Sequence, residues 1–335
     1  MDSHSLILTI LIVLVALSFD FINGFHDSAN SIATVVSTRV LSPQSAVVWA
    51  SFFNFTAIFI AGIPVAKTIG TGIVQPGVVN NFLVLAALGG AIAWNLITWW
   101  LGLPSSSSHA LIGGLMGAGF VQGGTAVLQW NGILKTAAFI VLSPAIGLVL
   151  GLGIMIVVLN LSVRSNVFKT DRVYRRLQLF SAAVYSVSHG MNDAQKTMGI
   201  IAMVLYTGGY LGESFYVPFW VVFLCYLFIA LGTMAGGWRI VKTMGSRITR
   251  LEPIGGFAAE TAAAASIIGA SMAGIPVSTT HTITGAIVGV GAVRRLTAVR
   301  WGVAGSIVWA WILTIPLSAA ISALLFLGFK ALHLC

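Results

Sequence analysis

Charge is what this sequence has least of. Of its 335 residues only 7% are Asp, Glu, Lys or Arg, while 58% are hydrophobic. A soluble domain carries about a quarter charged residues, so a water-soluble globule is excluded. Cysteine is almost absent. Cys225 sits in an apolar run and Cys335 is the last residue, which suggests neither a metal site nor a disulfide framework. Acidic residues are scarcer than basic ones, 8 against 17, for a net charge of +9. Such an excess can signal nucleic acid. In an apolar chain it signals basic loops held on the inner side of a membrane, and no nucleic-acid partner is expected. The long apolar runs do not alternate with polar residues, which excludes a transmembrane β-barrel.

Apolar sequence is abundant in its place. Runs at 6–21, 47–63, 133–159, 219–235 and 303–329 have the length and continuity of membrane-crossing helices. The first run lacks a basic start and continues directly into polar sequence, so it is expected to be a retained helix and not a leader.

Four polar stretches interrupt this background. Gly24-Phe25-His26-Asp27-Ser28-Ala29-Asn30-Ser31 is echoed by Gly190-Met191-Asn192-Asp193-Ala194-Gln195-Lys196. Pro104-Ser105-Ser106-Ser107-Ser108-His109 is echoed by Pro276-Val277-Ser278-Thr279-Thr280-His281. Asp193 follows Asp27 by 166 residues, and Pro276 follows Pro104 by 172. Two motifs returning in the same order at nearly one offset imply an internal duplication. The first repeat is residues 1–161, the second is 179–335, and a basic linker at 162–178 divides them.

The stretch 5–38 is longer than one span needs, and Asn23-Gly24 is expected to break it into a discontinuous helix. The stretch 251–292 is expected to be a re-entrant hairpin with Gly274-Ile275-Pro276 at its tip. The stretch 82–120 is either a re-entrant hairpin with Gly102-Leu103-Pro104 at its tip, which is preferred, or a full span plus a short element, which would make the halves parallel and weaken the charge bias. Residues 238–250 have the composition of a basic loop. With re-entrant hairpins, Arg39 and the basic residues at 164–176, 239–250 and 294–300 fall on one side, 13 of the 17 Lys and Arg. That side is the cytoplasm, both termini lie outside, and the halves are inverted. The expected fold is an all-α polytopic membrane protein of two inverted repeats, with broken helices and two re-entrant helical hairpins.

A carboxylate inside a membrane segment is costly and normally faces a cavity or a partner. Asp27 and Asp193, with amide oxygens from Asn23, Asn30 and Asn192, suit a hard coupling cation, Na+ or H+. The structural alternative is a polar cluster, with Asp193 paired to Lys196 one turn away. The hydroxyl clusters Ser105–Ser108 and Ser278–Thr280 each follow a proline that ends a helix and precede a Gly-rich helix. Helix N-termini offer free N–H groups and a positive dipole end. Two such ends meeting from opposite sides would hold an anion. Simple N-capping is the alternative. His109 and His281 would carry protons or brace the hydroxyl loops, bracing being preferred, and His26 and His189 share the two readings. Gly113, Gly114, Gly117, Gly119, Gly285, Gly289 and Gly291 are expected to serve close helix packing. Glu260 is a third carboxylate of an ion pathway or the partner of a loop arginine.

The two aspartate segments resemble the paired signatures of the inorganic phosphate transporter (PiT) family, and the two Pro-X-Ser-(Ser/Thr)-(Ser/Thr)-His stretches resemble its hairpins. The resemblance covers nearly the whole chain. It implies an inner-membrane symporter importing inorganic phosphate with Na+ or H+, commonly a homodimer, with no cofactor beyond the coupling ion. It places phosphate ligands on Ser106, Ser107, Ser108, Ser278, Thr279 and Thr280 with Asn30 and Gln195. It places cation ligands at Asp27, Asn23, Asn192 and Asp193. His26 stands where many members have Asn, Gln195-Lys196 matches Ala29-Asn30 of the first motif, and the central linker is short. Some bacterial relatives carry sulfate, which is the alternative substrate. Two rivals from other classes are an intramembrane hydrolase built on Ser108 or Thr280 with a histidine and Asp27, and a passive anion channel. Hydrolysis of a phospholipid or peptide would reveal the first, and flux independent of any cation gradient the second. A duplicated hydroxyl–histidine unit is a transporter's pattern, and no enzyme activity is expected.

Overall fold

A computed structural model describes residues 3–334, the side chains of residues 3–5 and 294 left aside. Cys335 and the extreme termini, whose side of the membrane was an expectation above, lie outside the described residues. Twelve α-helices, joined by short 3-10 and π turns, account for the described chain. Six of them are long and apolar enough to cross a bilayer, and two bent pairs bring the number to as many as eight.

The first helix, α1 (Ser3–Ser37), and its counterpart α7 (Val167–Thr207) are both continuous. The expected break at Asn23-Gly24 is therefore corrected. Gly24 serves close approach and not a turn: a Cβ there would lie 2.1 Å from the carbonyl oxygen of Ile229. The breaks fall in other helices. α2 (Pro43–Thr56) runs through a 3-10 turn into α3 (Pro64–Thr71) with a bend of 86°. α8 (Phe219–Ala235) meets α9 (Trp238–Lys242) and its following π turn at 60°. Gly236, with φ of 75°, makes the second bend. The segment expected to be a basic loop at 238–250 is thus largely helical. The basic stretch after Asn166 is likewise the exposed start of α7 rather than a free linker.

Both hairpins form. α4 (Asn81–Leu101) and α5 (Ser107–Gly123) make the first, α10 (Pro253–Met272) and α11 (Thr279–Arg294) the second. Each first arm ends on a glycine in the left-handed region, Gly102 at φ 67° and Gly274 at φ 68°. The following residue closes the end in the same way: Leu103 N donates to Thr98 O and Ile275 N to Ala270 O, both at 2.9 Å. This is the glycine C-terminal motif, and the proline one or two residues on prevents the helix from resuming. The long helices α6 (Trp130–Ser162) and α12 (Trp301–Ala331) carry internal prolines at matching places, Pro144 and Pro316.

The two halves pack by exchange. A Cβ at Gly24 on α1 would strike the α8 backbone at Ile229, and one at Gly190 on α7 would strike the α2 backbone at Asn54, 2.5 Å away. A Cβ at Gly117 on α5 would lie 2.1 Å from the α12 backbone at Ala319, and one at Gly289 on α11 would lie 2.2 Å from the α6 backbone at Leu148. The packing role expected for the glycine rows holds at Gly113, Gly114 and Gly285 as well, where a Cβ would lie 2.1–2.6 Å from a backbone oxygen. α1 and α7 run antiparallel: Thr197 Oγ1 donates to Asp20 Oδ1 (2.8 Å), while Thr38 Oγ1 donates to Gln178 Oε1 (2.9 Å) at the far end.

Two apolar cores result. One takes α1 up to Phe19 and α7 from Met191, with α4 and α5. The other takes α1 from Ala29 and α7 up to Tyr185, with α10 and α11. The polar residues of α1 and α7 lie in the layer between them, which is why the aspartate motifs sit mid-helix.

Valine at Gly117 has no room, and its obstacle is backbone rather than a side chain that can swing away. Gly117→Val is expected to destabilise by about 3 kcal/mol, the upper range for overpacking. Gly153→Val, where nothing lies within 4 Å, is expected to leave the melting temperature of the detergent-purified protein unchanged.

Candidate functional site

The hairpin turns end inside the protein, against the middle of α1 and α7. Ser105–Ser108 and Ser278–Thr280 are at most 2% exposed, as are Asp27 and Asp193. Ser106 and Ser278 are the N-caps of α5 and α11. Their hydroxyls accept from the amides of His109 (3.3 Å) and His281 (3.2 Å). The capping role, set out above as the alternative to anion binding, applies to these two residues. It frees the next positions to point at α1 and α7.

Asp27 receives both hairpins. Ser107 Oγ lies 2.6 Å from Asp27 Oδ2 and 2.5 Å from Asn23 Oδ1. One hydroxyl has one proton, so it cannot donate to both. Rotating the Asn23 amide resolves this, because Asn23 Nδ2 otherwise has no partner; amide orientation is assigned from such networks. Thr280 Oγ1 stands 3.5 Å from Asp27 Oδ1, and Asn30 Nδ2 donates to Thr280 (2.9 Å) and Thr279 (3.3 Å). Asp193 faces Thr279 Oγ1 at 3.4 Å and is paired to Lys196 at 2.5 Å. Lys196 Nζ also donates to Ser108 Oγ and to Val277 O (3.1 Å). The lysine therefore ties α7 to both hairpins. Asp27, His189 and Asp193 each bring a ligating atom within 4.8 Å of the others. The arrangement fits a small cation: two carboxylates converge, only one ammonium offsets them, and hydroxyl oxygens surround them.

Other expected residues fall outside this cluster. Gln195 Oε1 accepts from the amides of Val65 (2.9 Å) and Ala66 (3.4 Å), so it holds the start of α3 rather than the turns. Asn192 Nδ2 donates to Ser271. His109 and His281 pack edge to face at 4.8 Å, and His281 stacks on Trp311 at 3.9 Å. They brace one hairpin against the other. Glu260 accepts from Gln178 (3.1 Å) and Ser181 (2.5 Å). Among the described residues no Lys or Arg lies within 4 Å of it, so pairing with a loop arginine is corrected. The hydrolase arrangement does not form on Ser108 or Thr280, whose neighbours are Lys196, Asn30 and Asp27. Ser105 does come within 3.4 Å of His26 Nε2, but its proton goes to Thr98.

His26 and His189, given either role from the sequence, meet the aspartates: His26 Nδ1 is 2.7 Å from Asp27, and His189 Nε2 is 3.3 Å from Asp193. Sequence reasoning left other participants out. Thr98 and Asn54, from apolar helices, orient those two rings. Asp20 is fully buried, bonded by Thr197 through one oxygen and without a partner on the other. Its signal was legible as the one carboxylate inside the run 6–21.

A model of the phosphate transporter family matches residues 23–170 and 162–322. The chain belongs to that family. It is 61% identical over 313 residues to a probable low-affinity inorganic phosphate transporter of Rhizobium meliloti (strain 1021), covering 93% of this chain and 94% of the relative. A Bacillus subtilis (strain 168) relative of the same description is 47% identical, with 95% and 96% covered. Among solved structures, a sodium-dependent phosphate transporter superposes with a TM-score of 0.87 at 26% identity, over 97% of this chain and 99% of that one. Family membership and the helices together make this a multi-pass membrane protein.

The caps and the inward hydroxyls separate by experiment. Ser106→Ala and Ser278→Ala are each expected to lower stability by about 1 kcal/mol, read as a drop in melting temperature. Ser107→Ala, whose hydroxyl caps nothing, instead removes a buried hydrogen bond to the Asp27 carboxylate and is expected to cost more, about 1.5–3 kcal/mol.

Proposed function

We propose that this family member imports inorganic phosphate across the cell membrane by symport with a cation, Na+ or H+. The observation that carries the reading is the convergence of Asp27 and Asp193 beneath two helix N-termini. Two carboxylates and one ammonium leave the cluster one negative charge in excess, which repels an anion. A bound cation removes that excess. The N–H groups of α5 and α11, the hydroxyls of Ser107, Ser108, Thr279 and Thr280, Asn30 and Lys196 then face phosphate as donors. Cation binding thus precedes phosphate binding, and this order is the basis of coupling.

Asp27, Asp193, Asn23 and the hydroxyls of Ser107 and Thr279 would hold the cation. Antiparallel α1 and α7 and the reciprocal contacts of the halves support inverted repeats, with the first hairpin entering from outside and the second from the cytoplasm. In that topology both termini lie outside. The relatives' names support phosphate over sulfate. A homodimer is part of the proposal on family resemblance.

Asp27→Asn and Asp193→Asn keep size and remove charge. Each is expected to abolish gradient-driven phosphate uptake into proteoliposomes while the protein still inserts. Normal cation dependence in both variants would move the coupling site elsewhere. Ser107→Ala is expected to weaken phosphate about ten- to a hundred-fold, as the loss of a hydrogen bond to a charged ligand does. Calorimetry on the purified variant reads that change.

A further inference from the structure

The base of the second hairpin carries a basic cavity. The chain enters α10 through Thr249–Glu252 and leaves α11 through Arg295–Arg300. The two segments are laced together: Arg300 N donates to Ile248 O at 2.9 Å, and Thr249 Oγ1 to Ala298 O at 3.1 Å. Ile248 and Val299 are buried beneath them. The result is a formed concavity of about 450 Å³, whose lining includes Arg250, Arg295 and Arg300 with Thr249, Thr297 and Glu252. That volume lies in the usual range for a small-ligand pocket.

The three guanidinium groups are uncommitted. Three other surface cations are in use, Arg175 on Asp171 and Arg39 O, Arg239 on Trp100 O, and Lys330 on Val121 O; what sets Arg250, Arg295 and Arg300 apart is that they line one cavity. Among the described residues no carboxylate lies within 4 Å of Arg250, Arg295 or Arg300. Inner-face topology calls for basic residues at this level. It does not call for three unpaired ones around a single cavity. Glu252 is the one acidic group in the lining, so the balance there is positive.

We propose that this cavity binds a phosphate group carrying net negative charge, separate from the site at the hairpin turns. Guanidinium forks match phosphate oxygens in pairs, and the hydroxyl of Thr297 supplies a further donor. α10 is 20 residues long, which sets the cavity about 30 Å from the Ser278–Thr280 turn. The group would come from free inorganic phosphate on the inner side or from the head group of an anionic phospholipid, which basic pockets between membrane helices accept. Either occupant would pin the start of α10 to the end of α11, the two arms that position the second turn. The proposal does not depend on the transport reading above.

The test compares the parent protein with a triple variant, Arg250→Gln, Arg295→Gln and Arg300→Gln. Radiolabelled inorganic phosphate bound per chain is counted at saturation in lipid-free detergent. Retention of phosphatidylglycerol against phosphatidylcholine is read by native mass spectrometry. If free phosphate is the ligand, the parent binds one phosphate per chain more than the variant. If the head group is the ligand, the parent retains one phosphatidylglycerol, and no phosphatidylcholine, that the variant releases at least ten-fold more readily. Single Arg300→Gln, with an unchanged melting temperature, is expected to show the loss in part and so excludes misfolding as its cause. Equal phosphate counts and equal lipid retention in all three proteins would overturn the proposal.

Discussion

Two aspartates face one another in the polar layer between two apolar cores, and the rest of the structure is arranged around that repulsion. Ligating atoms of Asp27 and Asp193 lie within 4.8 Å. At an effective dielectric near 20, two unit charges at that distance repel by about 3.5 kcal/mol. Lys196 offsets one of them, and it does so while gripping Ser108 and the Val277 carbonyl. The same interaction that quiets the charge also docks the hairpins. A cation on the remaining charge would complete the balance and turn the site from anion-repelling to anion-accepting.

This constraint explains the helix architecture. The aspartates can stay on unbroken α1 and α7 because the irregular backbone is supplied by the hairpins instead. Each hairpin delivers the N-terminus of a helix, capped by a serine, to the midpoint of the protein. Gly24 and Gly190 let α8 and α2 come against the aspartate helices at backbone contact, and water has no room there. The histidines after the turns do not face the carboxylates. They join one hairpin to the other and to Trp311, so the two turns are positioned as a unit.

The hairpins, their tips and the aspartate pair were legible in the sequence, because prolines, hydroxyl clusters and carboxylates each have few physical uses in apolar surroundings. Proline and αL glycine end helices, and hydroxyls begin them. Asn23-Gly24 was misread because glycine has two uses, turning a chain and admitting a neighbour, and only the neighbour, Ile229, distinguishes them. The same ambiguity hid the real bend at Gly236. Gln195 lies beside Lys196 in sequence but points away from it, since adjacent helical residues do not share a face. Thr98 and Asn54 were invisible: nothing in an apolar helix marks which lone polar residue will meet a histidine from another segment. Asp20 was visible and unpaired in any motif, so its place beside Thr197 came only from the fold.

The central claim is that cation and phosphate share one charge balance. By linkage, a cation that tightens phosphate must itself be tightened by phosphate to the same factor. Phosphate affinity of the purified protein, measured by calorimetry across a Na+ series at fixed pH and across a pH series without Na+, tests this most directly. The account predicts that affinity rises with one of the two cations, and that this rise disappears in Asp27→Asn and Asp193→Asn. Phosphate affinity that stays constant across both series would contradict it.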